Sequence, residues 1–506
     1  MHALAFIVMM AAAASGLCCQ RSGNASAAPE RDKSAGPEAE RPIELIVSND
    51  ADTLDPRYAV DLVGLRTTRL LHAGLMRLDP DTLAPIPYLA EGVEWLGERA
   101  VRVTLKRDLR FHSGAPLTSR DVVATLRAFG SPAVGARHAR AVEAIAEARE
   151  DGDGAVLITL KRPHGTLLTD LELPILRADE ASSPPRPDGQ LDGLGPYAVA
   201  ERARGAITLE PRASVLGRAA HRVVIRAVHD ENARALRLTA GRSDIALNVL
   251  AHGILPALAR EPGLTVTSRA GANLTYLLAR VDRGPLAKVE VRRALAQAID
   301  RETIARTLLG GYAKPANTLI PPMHWAHHEL PPLPYAPVDA RAVLAGAGLH
   351  VSLLTSTDRS RFTLGRFVAQ QWADAGAFAD VQPLELGTLI ARLNAGDFDL
   401  AILQIPELAE PNVLRVFLHG GSIPPAGSNR GRVRDPEVDA LLDEGQRLTD
   451  RDARRAVYAK LEVRLRERLY VVPLWHEDQI AVVGTRAQAF APSAEGRWLS
   501  LAALPP

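Results

Sequence analysis

The segment VRVTLKRDLRFHSGAPLTSRDVV (Val101–Val123) contains the change of hydrophobic period that indicates the fold class. Its first part, Arg102 to Leu109, alternates apolar and polar residues, which predicts a half-buried strand. Its second part predicts the start of a helix, because Thr118 can act as the N-cap and Asp121 follows three residues later. A strand followed closely by a helix is typical of a mixed α/β fold.

The same two patterns recur on both sides of this segment. Short β-rich runs predict strands at Ile43–Val47, Arg222–Val228, Val351–Thr355, Val381–Leu384, Val471–Pro473 and Ile480–Val483. Helical spacing predicts helices at 62–75, 231–240, 290–309 (split near Asp300), 362–375 and 452–469, the last with a capping box of Thr449 and Asp452. A Pro/Gly/Asp-rich zone, 182–196, is a domain boundary or a crossing strand, and 315–337 is a Pro-rich loop.

Length and charge restrict the classes of function. The 506 residues predict about three domains or lobes at about 150 residues each. Sixty Lys and Arg against 59 Asp and Glu give a net charge of +1, which provides no basic stripe for nucleic acid. The two cysteines are adjacent, Cys18 and Cys19, so the folded body contains neither a disulfide nor a thiolate metal site.

The N-terminus carries an export signal. Ala3–Leu17 is an apolar run too short to span a bilayer of about 30 Å, but suited to a secretory signal. The cysteines that follow predict lipoprotein processing over residues 1–19 with acylation at Cys18 or Cys19, and a plain signal peptide is the alternative. Residues 20–42 are rich in Ala, Ser, Pro and Glu without apolar periodicity, which predicts a disordered tether.

Motifs of catalysis and phosphate binding do not occur in this sequence, which contains no G-x-S-x-G, G-x-x-x-x-G-K-[ST], H-E-x-x-H or helix-opening G-x-G-x-x-G. The loop segment HWAHH brings three imidazoles together, at His324, His327 and His328, which could hold a borderline metal. The alternative is a surface or pocket-rim loop, which we favour, so we predict no metal site and no cofactor. An exported α/β protein without a catalytic motif favours ligand binding over catalysis.

Blocks of sequence across the mature chain resemble one known family. They are TLDP (Thr53–Pro56), LLHAGLMRLDP (Leu70–Pro80), PYLAEGVEW (Pro87–Trp95), Val101–Val123, GLGPYAV (Gly193–Val199), VHDENARALRLTAGRSDIAL (Val228–Leu247), VRRALAQAIDRETIARTLLGGYAKPA (Val291–Ala316), AGDFDLAIL (Ala395–Leu403), 435–462 and VVPLWHEDQIAVV (Val471–Val483). In this order they resemble the extracellular solute-binding proteins of family 5, the peptide- and nickel-binding group of bacterial ABC importers.

The resemblance implies an architecture and a function. The fold would be a periplasmic-binding-protein-like clamshell of type II (cluster C-like), with three lobes in two halves joined by hinge crossings. Lobe I would comprise 43–76, 192–272 and 478–506, lobe II 77–191, and lobe III 273–477. The protein would be a non-enzymatic monomer that captures a peptide or other small solute between the halves and delivers it to an ABC permease in the inner membrane. It would act in the periplasm or at the outer face of the cytoplasmic membrane, touching the membrane only through its lipid anchor.

The resemblance also implies a ligand site. In peptide-binding relatives an Asp in a W-x-A-D-Y-x-D-P-like stretch pairs with the peptide ammonium, and Glu407 falls on that position here. Gln404 replaces the aromatic residue and Leu408 the Tyr, which removes a stacking wall. Arg359 and Arg361 follow a predicted strand where some dipeptide binders place an arginine that clamps a carboxylate. Further candidates lie at the lobe crossings and the cleft mouth: Asn273, Tyr276, Trp475, His476 and Asp61.

Two other functions stay open at this point. The lost aromatic residue at Gln404 and the histidine loop are compatible with a different solute on the same scaffold, such as a nickel complex, an oligosaccharide or an opine-like compound. An exported hydrolase, acting through Glu407 or His476, is the alternative from another class.

Overall fold

The computed structural model describes residues 41–152, 154–186 and 188–506. The predicted signal, with Cys18 and Cys19, and the predicted tether up to residue 40 lie outside the described residues. Pro42–Pro506 forms one compact unit. None of its described helices is long and apolar enough to cross a membrane.

The chain contains both strands and helices throughout, as the sequence predicts. The strands are β1 Ile43–Val47, β2 Met76–Leu78, β3 Pro85–Pro87, β4 Ala90–Trp95, β5 Ala100–Leu105, β6 Ile145–Glu150, β7 Ala155–Leu160, β8 Tyr197–Ala203, β9 Ala206–Pro211, β10 Ala213–Ser214, β11 Gly217–Arg218, β12 Val223–Ala227, β13 Ile245–Leu247, β14 Leu264–Ala270, β15 Leu274–Ala279, β16 Ala313–Pro315, β17 His350–Ser356, β18 Phe378–Leu384, β19 Leu400–Ile405 and β20 Val471–Gly484. The helices are α1 Leu62–Leu71, α2 Ser119–Gly130, α3 Leu167–Asp170, α4 Glu231–Thr239, α5 Leu255–Leu258, α6 Val289–Gln297, α7 Arg301–Thr307, α8 Pro337–Ala347, α9 Arg359–Asp374, α10 Leu386–Ala395, α11 Leu414–Leu418, α12 Pro436–Arg447 and α13 Arg451–Arg468.

A twelve-stranded mixed sheet runs through the molecule in the order β18-β17-β19-β15-β20-β13-β1-β12-β9-β8, with β14 and β16 also paired to β20. The long strand β20 pairs antiparallel with β15 through its first half and with β13 and β14 through its second half. A separate four-stranded antiparallel sheet, β4-β5-β7-β6, is built from the segment between α1 and β8. Strand β20 therefore joins two groups of strands in one sheet.

The large hydrophobic clusters draw on different parts of the chain. One contains residues between 73 and 194 only, and a second combines residues from 43–71, 197–247 and 481–504. Two more lie between residues 274 and 475, on opposite sides of β15. This segregation supports the three predicted lobes, whose boundaries remain a prediction.

The helix that opens in the segment Val101–Val123 has the predicted cap. In α2 the Thr118 backbone N–H and hydroxyl both donate to Asp121 Oδ2, at 2.8 and 2.7 Å, and the reciprocal contact completes a capping box. The preceding strand is shorter than predicted, since β5 ends at Leu105. The helix predicted over 62–75 also ends early, at Leu71, because His72 is extended.

One further prediction needs correction. The strand-like runs 471–473 and 480–483 are one continuous strand, β20, which contains the polar residues between them. The described residues of 182–196 contain no strand, so a domain boundary stays the prediction for this zone. The predicted split near Asp300 is present, because the Asp300 side chain accepts the Thr303 backbone N–H at 2.9 Å and starts α7.

The capping box predicted at Thr449 and Asp452 is wrong, because Asp450 is the N-cap of α13. Its Oδ1 accepts the backbone N–H of Ala453 at 2.8 Å. We expect Asp450→Ala to lower the free energy of unfolding by about 1 kcal/mol, the usual effect of losing an N-cap. Thr449→Ala should leave it unchanged in the same urea titration. Equal effects of the two substitutions would contradict this assignment.

Candidate functional site

The two chain crossings between the strand groups lie side by side. The first is 270–274, between β14 and β15, and the second is 475–479, within β20. The Asn273 side chain joins them, since its Nδ2 donates to the Glu477 carbonyl at 2.7 Å and its Oδ1 accepts the Glu477 N–H at 2.8 Å. Asn273, predicted at this crossing, is 5% exposed and therefore fixes the backbone there.

A buried charge lies at this crossing in the Glu477 side chain. Arg361 donates from Nη1 to Glu477 Oε1 at 2.7 Å and from Nη2 to Oε2 at 3.3 Å. Thr275 Oγ1 and Gln404 Nε2 donate to the same Oε1, at 2.5 and 3.2 Å. Burial alone would raise the pKa of Glu477, but Arg361 and these hydrogen bonds outweigh it and hold the pKa below its ordinary value. We call these four residues and Asn273 the Glu477 cluster.

Local structure explains this gathering. Asp358 caps α9 by accepting the Arg361 backbone N–H at 3.0 Å, which places Arg361 in the first helical turn. In β15 alternate residues point to opposite sides, so Thr275 faces away from the cluster that contains Leu274 and Tyr276. The Glu477 cluster thus combines three elements, α9, β15 and β20, with the end of β19.

A second charged cluster is centred on Glu407, just after β19. Arg497 donates from Nη2 to Glu407 Oε1 at 2.5 Å and also holds Glu172 with two hydrogen bonds of 2.6 and 3.0 Å. Burial alone would raise the pKa of Glu407, but the Arg497 and Arg69 guanidinium groups outweigh it and lower that pKa. Arg66 and Glu495 complete what we call the Glu407 cluster.

This second cluster connects the three proposed lobes. Glu172 follows α3 in the proposed lobe II, Glu407 lies in lobe III, and Arg497 lies in the C-terminal segment of lobe I. The Arg497 side chain is 4% exposed, whereas that of Glu407 is 26% exposed. The Glu407 side chain therefore remains partly accessible.

The other predicted site residues have structural contacts. Tyr276 is 6% exposed within a hydrophobic cluster, where burial raises its pKa to about 12. Trp475 is fully buried and its Nε1 donates to the Arg301 carbonyl at 3.0 Å. Asp61 caps α1 by accepting the Gly64 N–H at 2.8 Å. Arg359, the first residue of α9, is exposed.

His476, predicted as a ligand candidate at the lobe crossing, is buried inside a strand. It lies in the middle of β20, is 5% exposed, and hydrogen-bonds through Nδ1 to the Asn273 carbonyl at 2.7 Å. Burial lowers its pKa to about 4, so the imidazole is neutral at pH 7. Its contacts are those of a residue that holds the crossing.

The histidine loop directs its imidazoles to protein atoms. His324 is 3% exposed and hydrogen-bonds through Nε2 to the Ala409 carbonyl at 3.2 Å, and burial lowers its pKa to about 4. His327 contacts the Ile320 carbonyl at 2.9 Å and Glu329 at 3.1 Å, and His328 is partly exposed. In the described part of the chain, no three His, Cys, Asp or Glu side chains are grouped to hold a metal ion.

Several functional candidates escaped the sequence analysis. Glu477 stands in the middle of the apolar run VVPLWHEDQIAVV, and this interruption was the available signal. Arg497 and Glu172 lie 325 residues apart, and no local pattern connects them. Arg66 and Arg69 lie in the predicted helix 62–75, and no local pattern connects them with Glu407 or Arg497.

A mixed α/β sheet in which one long strand is shared by two groups of strands is compatible with the periplasmic-binding-protein class. The chain matches the model of bacterial extracellular solute-binding proteins, family 5 middle, over residues 84–412, and it belongs to this family. The predicted fold class and family are thereby confirmed.

Relatives with curated descriptions are solute-binding proteins. Probable di/tripeptide-binding protein 5 of Pseudomonas aeruginosa is 25% identical over 84% of this chain and 88% of its own length. Di/tripeptide-binding protein 1 of the same organism is 28% identical, but this match spans 49% of the chain and only 48% of that relative. Heme-binding protein A of Haemophilus influenzae is 25% identical over 68% of the chain and 67% of its own length.

Solved structures share the fold. The ABC transporter substrate-binding protein CtaP from Listeria monocytogenes superposes with a TM-score of 0.83 at 19% identity, covering 92% of this chain and 98% of that one. NikZ from Campylobacter jejuni, in complex with Ni(L-His), gives a TM-score of 0.75 at 20% identity with the same coverage. At these identities the likeness shows the fold, and the family model gives the class, a bacterial extracellular solute-binding protein.

Proposed function

We propose that this protein captures short peptides between its lobes and delivers them to an ABC permease in the inner membrane. It does so as an exported monomer without enzymatic activity, in the periplasm or at the outer face of the cytoplasmic membrane, with a lipid anchor at Cys18 or Cys19. The di/tripeptide-binding relatives support the peptide class. The peptide binds between the two halves, which close around it by motion at the hinge crossings.

The partly exposed side chain of Glu407 carries this proposal. Its Oε1 accepts a hydrogen bond from Arg497, and its side chain keeps 26% of its surface exposed. Because Arg497 is also held by both oxygens of Glu172, it keeps a partner when a ligand approaches Glu407. A charge-assisted hydrogen bond from a peptide ammonium to Glu407 is strong in this partly desolvated place.

Calorimetry with purified protein tests this function. We expect di- to pentapeptides to bind and Glu407→Gln to weaken binding about tenfold or more, since the variant loses an ionic hydrogen bond worth at least about 1.4 kcal/mol. The exposed Glu91→Gln is the matched control and should leave the affinity unchanged. Binding of no peptide by the wild-type protein would refute the peptide class.

A different solute on the same scaffold is the second candidate. Gln404, where relatives have an aromatic residue, turns its amide to Glu477 and so adds no stacking surface. A panel with a nickel–histidine complex, heme and oligosaccharides, run in the same calorimetric assay, distinguishes this candidate. Nickel binding that survives substitution of His324, His327 and His328 would exclude a role for the histidine loop. A hydrolase would show peptide or ester turnover that Glu407→Gln or His476→Gln abolishes.

A further inference from the structure

Two arginines of helix α1 lie in the Glu407 cluster without a carboxylate partner. Arg66 and Arg69 are one turn apart and share a face of the helix. The adjacent face, with Val63, Leu70 and Leu71, packs into a hydrophobic cluster. The orientation of α1 therefore presents both guanidinium groups to the place where the three proposed lobes meet.

The C-terminal segment holds Arg66 in position. Its Cζ lies 5.8 Å from the centre of the Trp498 ring, in a cation–π contact. A β-carbon at Gly496 would lie only 2.8 Å from Arg66 Nη2, so the segment approaches the guanidinium closely. The Trp498 ring covers the flat face of this guanidinium, so the N–H donors at the edge of the guanidinium stay available to a ligand.

The other arginines of the two clusters are already paired. Arg497 binds Glu172 and Glu407, and Arg361 binds Glu477. In contrast, within residues 41–152, 154–186 and 188–506, Arg66 and Arg69 make no hydrogen bond or ion pair with the protein. Each guanidinium has five donors, and both groups are only partly exposed. Two cations are thus partly desolvated without compensation from a contacting anion.

Neighbouring polar atoms show the same shortage of partners. Glu495 Oε2, Arg497 Nε and Trp498 Nε1 are buried and have no hydrogen-bond partner. Burial raises the pKa of Glu495 and lowers that of both Arg66 and Arg69, despite the attraction of Glu407. The two carboxylates that contact an arginine here, Glu172 and Glu407, are both held by Arg497. No carboxylate therefore contacts Arg66 or Arg69 among the described residues.

We propose that Arg66 and Arg69 form a carboxylate subsite that binds the acidic end of the ligand. Two guanidinium forks on one helical face match the oxygens of a carboxylate. The subsite replaces Arg361, the arginine expected from the sequence to clamp a ligand carboxylate, since Glu477 occupies Arg361. This inference rests on the proposed function, because a peptide supplies the carboxylate at its C-terminus or on an acidic side chain.

Three peptides separate the sources of the carboxylate: trialanine, trialanine amide and Ala-Glu-Ala amide. Calorimetry with the wild-type protein should show trialanine binding about tenfold or more tightly than its amide. If Ala-Glu-Ala amide recovers the lost affinity, the subsite reads a side-chain carboxylate, and if it does not, the subsite reads the C-terminus. Equal affinities for all three peptides would overturn the proposal, and this comparison requires no variant.

The double variant Arg66→Gln/Arg69→Gln then assigns the preference to these residues. It should bind trialanine and its amide alike, because glutamine keeps donors but removes the charge. The matched control Arg451→Gln/Arg455→Gln removes two exposed arginines from one face of α13 and should keep the wild-type preference. A preference that persists in the Arg66/Arg69 variant would contradict the assignment.

A further experiment distinguishes failure of the proposed function from failure of the carboxylate subsite. If no peptide binds, the peptide class is wrong, and inorganic sulfate becomes the probe of the subsite. Millimolar sulfate should raise the unfolding temperature of the wild-type protein and of the Arg451/Arg455 control by the same amount, and that of the Arg66/Arg69 variant less. An equal rise in all three proteins would refute the subsite independently of peptides.

Discussion

Replacement of Arg497 by alanine is expected to lower the free energy of unfolding by about 3–5 kcal/mol. The side chain is 4% exposed and holds Glu172 and Glu407, which are 12% and 26% exposed. Its removal leaves two carboxylates partly desolvated without their counter-ion, and the cost of an uncompensated buried charge exceeds the value of the pair itself. Urea titration followed by circular dichroism measures the change.

An exposed ion pair supplies the control for this experiment. Arg269 pairs with Asp81, whose side chain is 73% exposed, so Arg269→Ala should cost at most about 1 kcal/mol. A loss at Arg497 no larger than that at Arg269 would mean that water, rather than protein, solvates the Glu407 cluster. The double substitution Arg497→Ala with Glu172→Gln should recover part of the lost stability, because it removes one of the unpaired charges.

Trp475→Ala is expected to destabilise the protein by about 3–5 kcal/mol through the cavity that it opens. The side chain is fully buried in the cluster between α9 and the sheet, and its Nε1 donates to the Arg301 carbonyl. The substitution would also leave the Arg301 carbonyl without the hydrogen bond from Trp475 Nε1. Thermal and urea unfolding provide the measurement.

Phe378→Ala is the matched aromatic control, since Phe378 is 54% exposed and its loss should change stability by about 0.5 kcal/mol or less. Trp475→Phe should retain most of the stability, because it fills much of the cavity. If Trp475→Ala instead left stability intact and abolished ligand binding, Trp475 would be a wall of the ligand site, as the sequence suggested.

Local patterns predicted much of the fold because they arise from short-range physics. The capping pair Thr118 and Asp121 and the split at Asp300 each depend on contacts within one helical turn. The cap of α13 was misassigned by one residue, since Thr449 and Asp450 are both suitable N-caps and only the backbone geometry selects Asp450. Strand β20 was divided because its polar centre looks like a turn when its pairing partners are unknown.

The candidate site was harder to predict because its partners are distant in sequence. The family resemblance singled out Glu407, Gln404, Asn273 and Arg361, and each takes part in one of the two charged clusters. The family resemblance did not predict Glu172 or Arg497 as site residues, because these two residues pair only when distant segments of the chain pack together. It also drew attention to Trp475 and Tyr276, since an aromatic residue near a crossing looks the same in sequence whether it faces a ligand or a core.

Strand β20 has a consequence for the order in which the molecule can assemble. In the part of the chain that the structure describes, it pairs with β13, β14, β15 and β16, and it alone connects the strand group around β1 with the group around β17. Because β20 follows all of these strands in the chain, the two strand groups keep unpaired facing edges until β20 has been synthesised. Completion of the sheet therefore depends on long-range pairing, which is intrinsically slow.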